Sequence, residues 1–203
     1  MKPKNILFVC SGNSCRSPMA EYLLKALVED DPECYIFSRG TDTTGVNQEP
    51  SERAVETVKA IFPKSRIEEH KPTALHSEDI IETLPLILTM EGRHKKKILD
   101  RDLDFSLEKR VFTLKEFVGL DEEEDSQEKK VVTPQDSYVD GTQRVFYRFA
   151  PYKEPKGDIR DPMMGSAYLQ KDKEKKETNG YEQCRDEILE CLEIILNEKE
   201  VPH

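Results

Sequence analysis

Within the stretch Cys10-Ser11-Gly12-Asn13-Ser14-Cys15-Arg16-Ser17, a thiol and a guanidinium stand either side of five residues. That spacing alone is unspecific, but its setting is informative. Asn5 to Cys10 is a short apolar run of the kind that makes a buried parallel strand. Ser17-Pro18 carries helix-start signals, and Met19, Tyr22, Leu23, Leu24, Ala26 and Leu27 then recur at helical spacing. The chain therefore reads strand, loop, helix, with Cys10 at the strand end and Arg16 where the helix begins.

A helix N-terminus presents backbone N–H groups without intrahelical partners, and the helix dipole adds partial positive charge. A loop coiled over that end aims successive N–H groups at one tetrahedral oxyanion. Gly12 and Asn13 are residue types that tolerate the dihedrals such a nest needs. Arg16 would complete the cradle, its planar fork taking two phosphate oxygens. A positive field of this kind favours the thiolate, the nucleophilic form of cysteine. Cys10 is expected at the floor of that field, with the Ser17 hydroxyl donating to its sulfur.

The elements that must position this loop follow along the chain. A second strand is expected over Tyr35 to Ser38, ending at Gly40, and a helix over Glu52 to Ile61. Ser77 to Leu84 reads as a short helix capped by Ser77, and Leu86 to Met90 as a third buried strand. Arg93 to Leu99 is expected to be helical and Val111 to Leu114 a fourth short strand. A last helix is expected over about Tyr181 to Leu196, with Ile188, Leu189, Leu192 and Ile195 facing the core. Alternating strands and helices imply a parallel α/β sheet covered on both faces. Asp121 to Gly157 interrupts this pattern. Its acidic start suits a solvated loop, and its aromatics (Tyr138, Val145-Phe146-Tyr147, Phe149, Tyr152) suit an extra hairpin packed on the domain or a partner-binding arm. Lys171 to Lys176 reads as a charged loop.

The 203 residues favour a single domain, 1–203, with an atypical insertion at about 121–157. Hydrophobic residues make up 36% and charged residues 35%, so part of the chain is expected outside the core. No apolar run is long enough to span a membrane, and the N-terminal one is too short for a secretory segment. A net charge of -10 has the wrong sign for a general nucleic-acid binder. Five cysteines, an odd number without paired CxxC spacing, suggest reduced thiols in the cytoplasm. The four histidines lack metal-ligand spacing, and His70, His76 and His94 are expected at the surface or at helix caps. Neither a metal nor a cofactor is expected.

The segment from Phe8 to Glu21 resembles the signature of the low-molecular-weight protein tyrosine phosphatases. The resemblance continues at Ser38-Arg39-Gly40-Thr41, at Leu86-Ile87-Leu88-Thr89-Met90, and at Asp158-Ile159-Arg160-Asp161-Pro162, which is similar to the family's Asp-Pro loop. It implies a three-layer α/β fold, a four-stranded parallel sheet flanked by helices. It implies Cys10 as nucleophile, Arg16 as phosphate clamp and Asp161 as general acid. Ser11, Gly12, Asn13, Ser14, Cys15 and Ser17 would form the phosphate loop, with Asn13 holding it and Ser17 steadying the thiolate. The implied substrate is a phosphorylated protein or peptide, and the course is two displacements through a cysteinyl-phosphate. Two departures bear on the substrate. Met163 and Met164 stand where tyrosine-directed members carry aromatics, and Ser14 stands where they carry an aliphatic residue and arginine phosphatases carry Thr. Phosphotyrosine and phosphoarginine therefore both remain open. The competing readings are an arsenate reductase of the same fold and a phosphate-binding scaffold acting through the 121–157 insertion.

Overall fold

β1 (Asn5–Cys10), the apolar run that opens the chain, is an inner strand of the sheet. The computed structural model describes residues 5–29, 31–81, 85–100, 107–120, 157–159, 161–162 and 180–197, together with the backbone of 137–139 and 145–147. After β1 come α1 (Arg16–Leu27), β2 (Tyr35–Gly40), α2 (Glu52–Lys59), α3 (Ser77–Ile81) and β3 (Leu86–Thr89). Then follow α4 (Gly92–Leu99), β4 (Val111–Thr113), α5 (Leu114–Phe117), β5 (Ser137–Val139), β6 (Val145–Tyr147) and α6 (Gly180–Asn197). The first four strands pair in the order β2-β1-β3-β4, all parallel, which is the expected architecture.

Successive β1 side chains alternate between two cores, which is why the strand is continuously apolar. Ile6, Phe8 and Cys10 face a larger cluster with Met19 and Leu23 of α1, Val58 of α2, and Cys184, Ile188, Cys191, Leu192 and Ile195 of α6. Leu7 and Val9 face a smaller one with Phe37, Ile87, Val111 and Ile98 of α4. The result is three layers, helix, sheet and helix. Register places Cys10 opposite Gly40 and Val9 opposite Thr89, so parallel strands bring their C-terminal ends to one edge.

Element boundaries shift for local reasons. Ser17, expected just outside α1 as its cap, lies inside the first turn. Cys15 occupies the N-cap position without a side-chain cap bond. Pro18 is thereby the third helical residue, where its missing N–H has no intrahelical acceptor to lose. β4 stops at Thr113 instead of Leu114 because a capping box starts α5 there. The Thr113 hydroxyl accepts the Glu116 N–H at 3.1 Å, and the Glu116 carboxylate accepts the Thr113 N–H at 3.0 Å. α2 ends two residues early, where Ile61 bonds back only three residues, to Val58. The aromatic cluster of the 121–157 segment contains the expected hairpin. β5 and β6 pair antiparallel, Tyr138 opposite Phe146. The rest of that segment up to 156, Lys171 to Lys176, and Met163 and Met164 lie outside the described residues. No helix among the described residues is long and apolar enough to cross a membrane.

Candidate active site

Cys10 closes β1, and residues 11–15 coil from it into the first turn of α1. The thiol is nearly sequestered, at 3% exposure. Its sulfur accepts the Asn13 N–H at 3.3 Å and lies 3.0 Å from the Ser17 hydroxyl. Ser17 Oγ also accepts from Asn13 Nδ2 at 3.0 Å and stands 3.5 Å from the Arg39 carbonyl oxygen, a second acceptor for its proton. Ser17 thus stands beside the sulfur, and with its hydroxyl held by these contacts it does not cap the helix.

Asn13 organises the loop. It is buried and adopts the left-handed conformation, φ 54°, as its residue type allowed. Its Nδ2 also donates to Ser38 Oγ at 2.8 Å, and its Oδ1 accepts the Thr73 N–H at 2.8 Å. Ser38 in turn donates to Glu21 Oε2 at 2.6 Å, and Lys25 donates to the other Glu21 oxygen at 2.6 Å. His70 Nε2 lies 3.0 Å from the Asn13 carbonyl and 3.2 Å from Oδ1. A network from α1, β2 and the 67–73 segment therefore holds one loop residue in a conformation that costs energy elsewhere.

Arg16 is 2% exposed and is held through both of its terminal nitrogens. Its Nη1 pairs with Glu91 and donates to the Ile159 carbonyl at 3.0 Å, while Nη2 donates to Asp161 Oδ2 at 2.9 Å. Burial opposes the guanidinium charge, but the Cys10 sulfur, Asp161 and Glu91 outweigh it and hold its pKa above the ordinary value. Burial likewise opposes the Glu91 carboxylate, and Arg93 and Arg16 overcome it, holding its pKa below the ordinary value. The segment that delivers Asp161 is anchored on the edge of β3. Ile159 is buried and its N–H donates to the Met90 carbonyl at 2.7 Å, while Asp158 accepts the Gly92 N–H at 2.8 Å.

The remaining loop residues line the same turn. The Ser14 carbonyl accepts the Ser51 N–H at 2.7 Å. Gly12 lies against Val46, whose methyl would sit 2.9 Å from an added Cβ. Cys15 is buried with its sulfur 3.9 Å from Met19 Sδ, and burial, then Cys184 and Cys10, push its thiol pKa well up. Ser11 Oγ lies 2.8 Å from His94 Nε2.

The structure thus brings Cys10, Asn13, Arg16, Ser17 and Asp161 together. It corrects the histidine reading. His76 is exposed as expected, but His70 and His94 are buried against the loop. Burial lowers the pKa of both, that of His94 to about 4. Glu21, Ser38 and Ile159 stand in segments that carry the resemblance but had no role assigned from the sequence, and Glu91 was not singled out. Among the described residues no group of three or more His, Cys, Asp or Glu side chains is placed to hold a metal ion.

A thiol in a ring of donors, with a buried guanidinium and a carboxyl beside it, can bind a tetrahedral oxyanion and attack it. Comparison with known proteins agrees with that chemistry. The family model described as "Low molecular weight phosphotyrosine protein phosphatase" matches residues 5–146. The protein-arginine-phosphatase of Bacillus subtilis (strain 168) is 36% identical over 115 residues, 56% of this chain and 72% of that protein. The low molecular weight protein-tyrosine-phosphatase PtpB of Staphylococcus epidermidis is 37% identical over 123 residues, 59% of this chain and 78% of that protein. Arsenate reductase 1 of Staphylococcus haemolyticus is 39% identical over 90 residues, 44% of this chain and 61% of that protein. Among solved structures, the YwlE arginine phosphatase from Geobacillus stearothermophilus superposes with a TM-score of 0.60. It is 26% identical, and the match covers 99% of each chain.

Proposed function

The chain belongs to the low molecular weight phosphotyrosine protein phosphatase family, and from that premise we propose that it hydrolyses phosphorylated proteins through a cysteinyl-phosphate on Cys10. The observation that carries the assignment of roles is the 2.9 Å contact between Arg16 and Asp161, which joins the loop of Cys10 to a carboxyl 145 positions away. The family match ends before Asp161, so this geometry is the independent support for its role.

In the proposed course the substrate phosphoryl group seats in the 11–17 loop, its oxygens facing the loop N–H groups and the Arg16 guanidinium. Cys10 sulfur attacks phosphorus in line with the leaving oxygen or nitrogen, and Asp161 hands that atom a proton. Asp161 then takes a proton from water as it attacks the cysteinyl-phosphate, releasing phosphate and returning the Cys10 thiolate, which the Ser17 hydroxyl and Asn13 N–H stabilise. Arg16 and the backbone donors offset the charge that develops on the phosphoryl oxygens. Cys10→Ser is expected to keep oxyanion binding while turnover falls by orders of magnitude. Turnover comparable to the parent in that variant sinks the mechanism.

For the substrate we read phosphoarginine as turned over at least as well as phosphotyrosine. The hydroxyl of Ser14, half-buried in the loop, suits a polar guanidinium more than a flat apolar ring, and a protein-arginine-phosphatase stands among the relatives. Ser14→Ile is expected to shift kcat/KM toward phosphotyrosine. A strong phosphotyrosine preference that Ser14→Ile leaves unchanged overturns this reading. Reductase chemistry is disfavoured because Cys184 and Cys191 lie seven residues apart on α6, about 10 Å along the helix axis, too far to close a disulfide without unwinding the helix. None of the five cysteines is in a disulfide, which suits a thiol enzyme of the cytoplasm, and the 121–157 segment is read as an accessory outside the catalytic machinery.

A further inference from the structure

Ser11 and His94 meet across 83 positions of sequence, and the phosphatase mechanism above uses neither side chain. His94 lies in the first turn of α4 at 1% exposure, with Nε2 2.8 Å from Ser11 Oγ. Its other ring nitrogen, Nδ1, is buried and has no partner among the described residues. Burial holds the ring neutral, and Arg16, Arg93 and Lys97 act the same way while Glu91 opposes them. A neutral ring carries one N–H. Placed on Nδ1, that proton would be a buried donor with no acceptor. Placed on Nε2, it leaves only a lone pair unmatched, the cheaper arrangement. The tautomer is therefore set by the one hydrogen bond the ring makes among the described residues, and Nε2–H donates to Ser11 Oγ.

This fixes the Ser11 hydroxyl in turn. Its oxygen is the acceptor, so its own proton cannot point at His94. Among the described residues no other acceptor takes it, and Ser11 is half-exposed at the start of the cradle, directly after Cys10. We propose that His94 is a positioning residue that turns the Ser11 hydroxyl proton toward the bound oxyanion, making the Ser11 side chain a donor of the phosphate cradle. The inference rests on the reading of residues 11–17 as that cradle. It explains why a polar ring is buried on α4, where an apolar side chain would fill the same space without an unmatched nitrogen.

The test is the inhibition constant of inorganic phosphate, measured with kcat and KM on a small aryl phosphate. The set is the parent chain, Ser11→Ala, His94→Leu, His94→Gln and the Ser11→Ala/His94→Leu double variant. Ser11→Ala and His94→Leu are each expected to weaken phosphate about tenfold, in line with loss of a hydrogen bond to a charged group. The double variant is expected to be no worse than either single one. His94→Gln, whose amide N–H replaces Nε2–H, is expected to stay within about threefold of the parent, which a merely space-filling role does not predict. An unchanged phosphate constant in Ser11→Ala overturns the proposal. So do multiplying effects in the double variant, or a Gln variant as poor as Leu. If His94→Leu does not fold, Ser11→Ala and His94→Gln decide alone. A parent chain that neither binds phosphate nor turns over aryl phosphate overturns the phosphatase reading itself, and this inference with it.

Discussion

Gly40 is the residue whose enlargement most directly tests how the site is built. It closes β2 opposite Cys10, and its backbone is bound on the other side as well, its N–H donating to Thr73 at 2.9 Å and its carbonyl accepting from Leu75 at 2.8 Å. The strand therefore has no freedom to retreat. A Cβ added there would lie 2.6 Å from the Ser11 carbonyl oxygen, 2.7 Å from Thr43 Cγ2 and 3.1 Å from the Asn13 nitrogen. Thr43 can rotate away, but the other two atoms are backbone of the phosphate loop. Opening the Ser11 contact to 3.4 Å moves the loop by about 0.8 Å. Misplacement of roughly 1 Å at a reacting centre costs about a hundredfold in rate. Gly40→Ala is thus expected to lower kcat/KM on an aryl phosphate about 30- to 100-fold, roughly 2 to 2.7 kcal/mol. Overpacking at this position is expected to cost about 1–3 kcal/mol of stability, seen as a lower melting temperature. Gly45→Ala is the control. Gly45 has φ 73° with open space around its Cβ position, so that change strains the backbone but presses on nothing in the site. Gly40→Ala with kcat/KM within twofold of the parent would refute the reasoning, as would an equal loss in Gly45→Ala.

Acid stability follows from the buried histidines. His94 stays neutral in the folded chain down to about pH 4, whereas an unfolded histidine protonates near 6.5. The unfolded state then binds more protons, so stability is complete above about pH 6.5 and falls as pH drops toward 4, by about 3 kcal/mol from His94. His70, also lowered by burial, adds with the same sign. Denaturant titrations at several pH values check this, and a flat profile from pH 6.5 to 4.5 contradicts it. His94→Gln is expected to flatten part of the slope. Cys15 lies in the same coiled loop as Cys10, and activity lost to peroxide is expected to return on reduction in the parent but not in Cys15→Ser. Equal recovery in both means that Cys15 only packs.

The cradle was legible in the chain because it is contiguous. A buried strand, a turn tolerant of unusual dihedrals and a helix start all act within about fifteen residues, and Cys10, Asn13, Arg16 and Ser17 are all on that one stretch. The layer architecture was legible for a similar reason, since strands buried on both faces read as unbroken apolar runs. Asp161 was visible only through resemblance, as one acidic residue among 41. Glu91, His70 and His94 carried no signal at all, because a single polar residue has no period and its partner lies far away in sequence. Their places were decided when the parallel sheet brought the C-terminal ends of β1, β2 and β3 to one edge. There Arg16 meets Glu91 and Asp161, Asn13 meets His70, and Ser11 meets His94. Ser17 shows the same division at one residue. Its type and position signal a helix cap, yet the buried sulfur and the Asn13 amide beside it took the hydroxyl, because inside the closed core those groups had no water to bond instead.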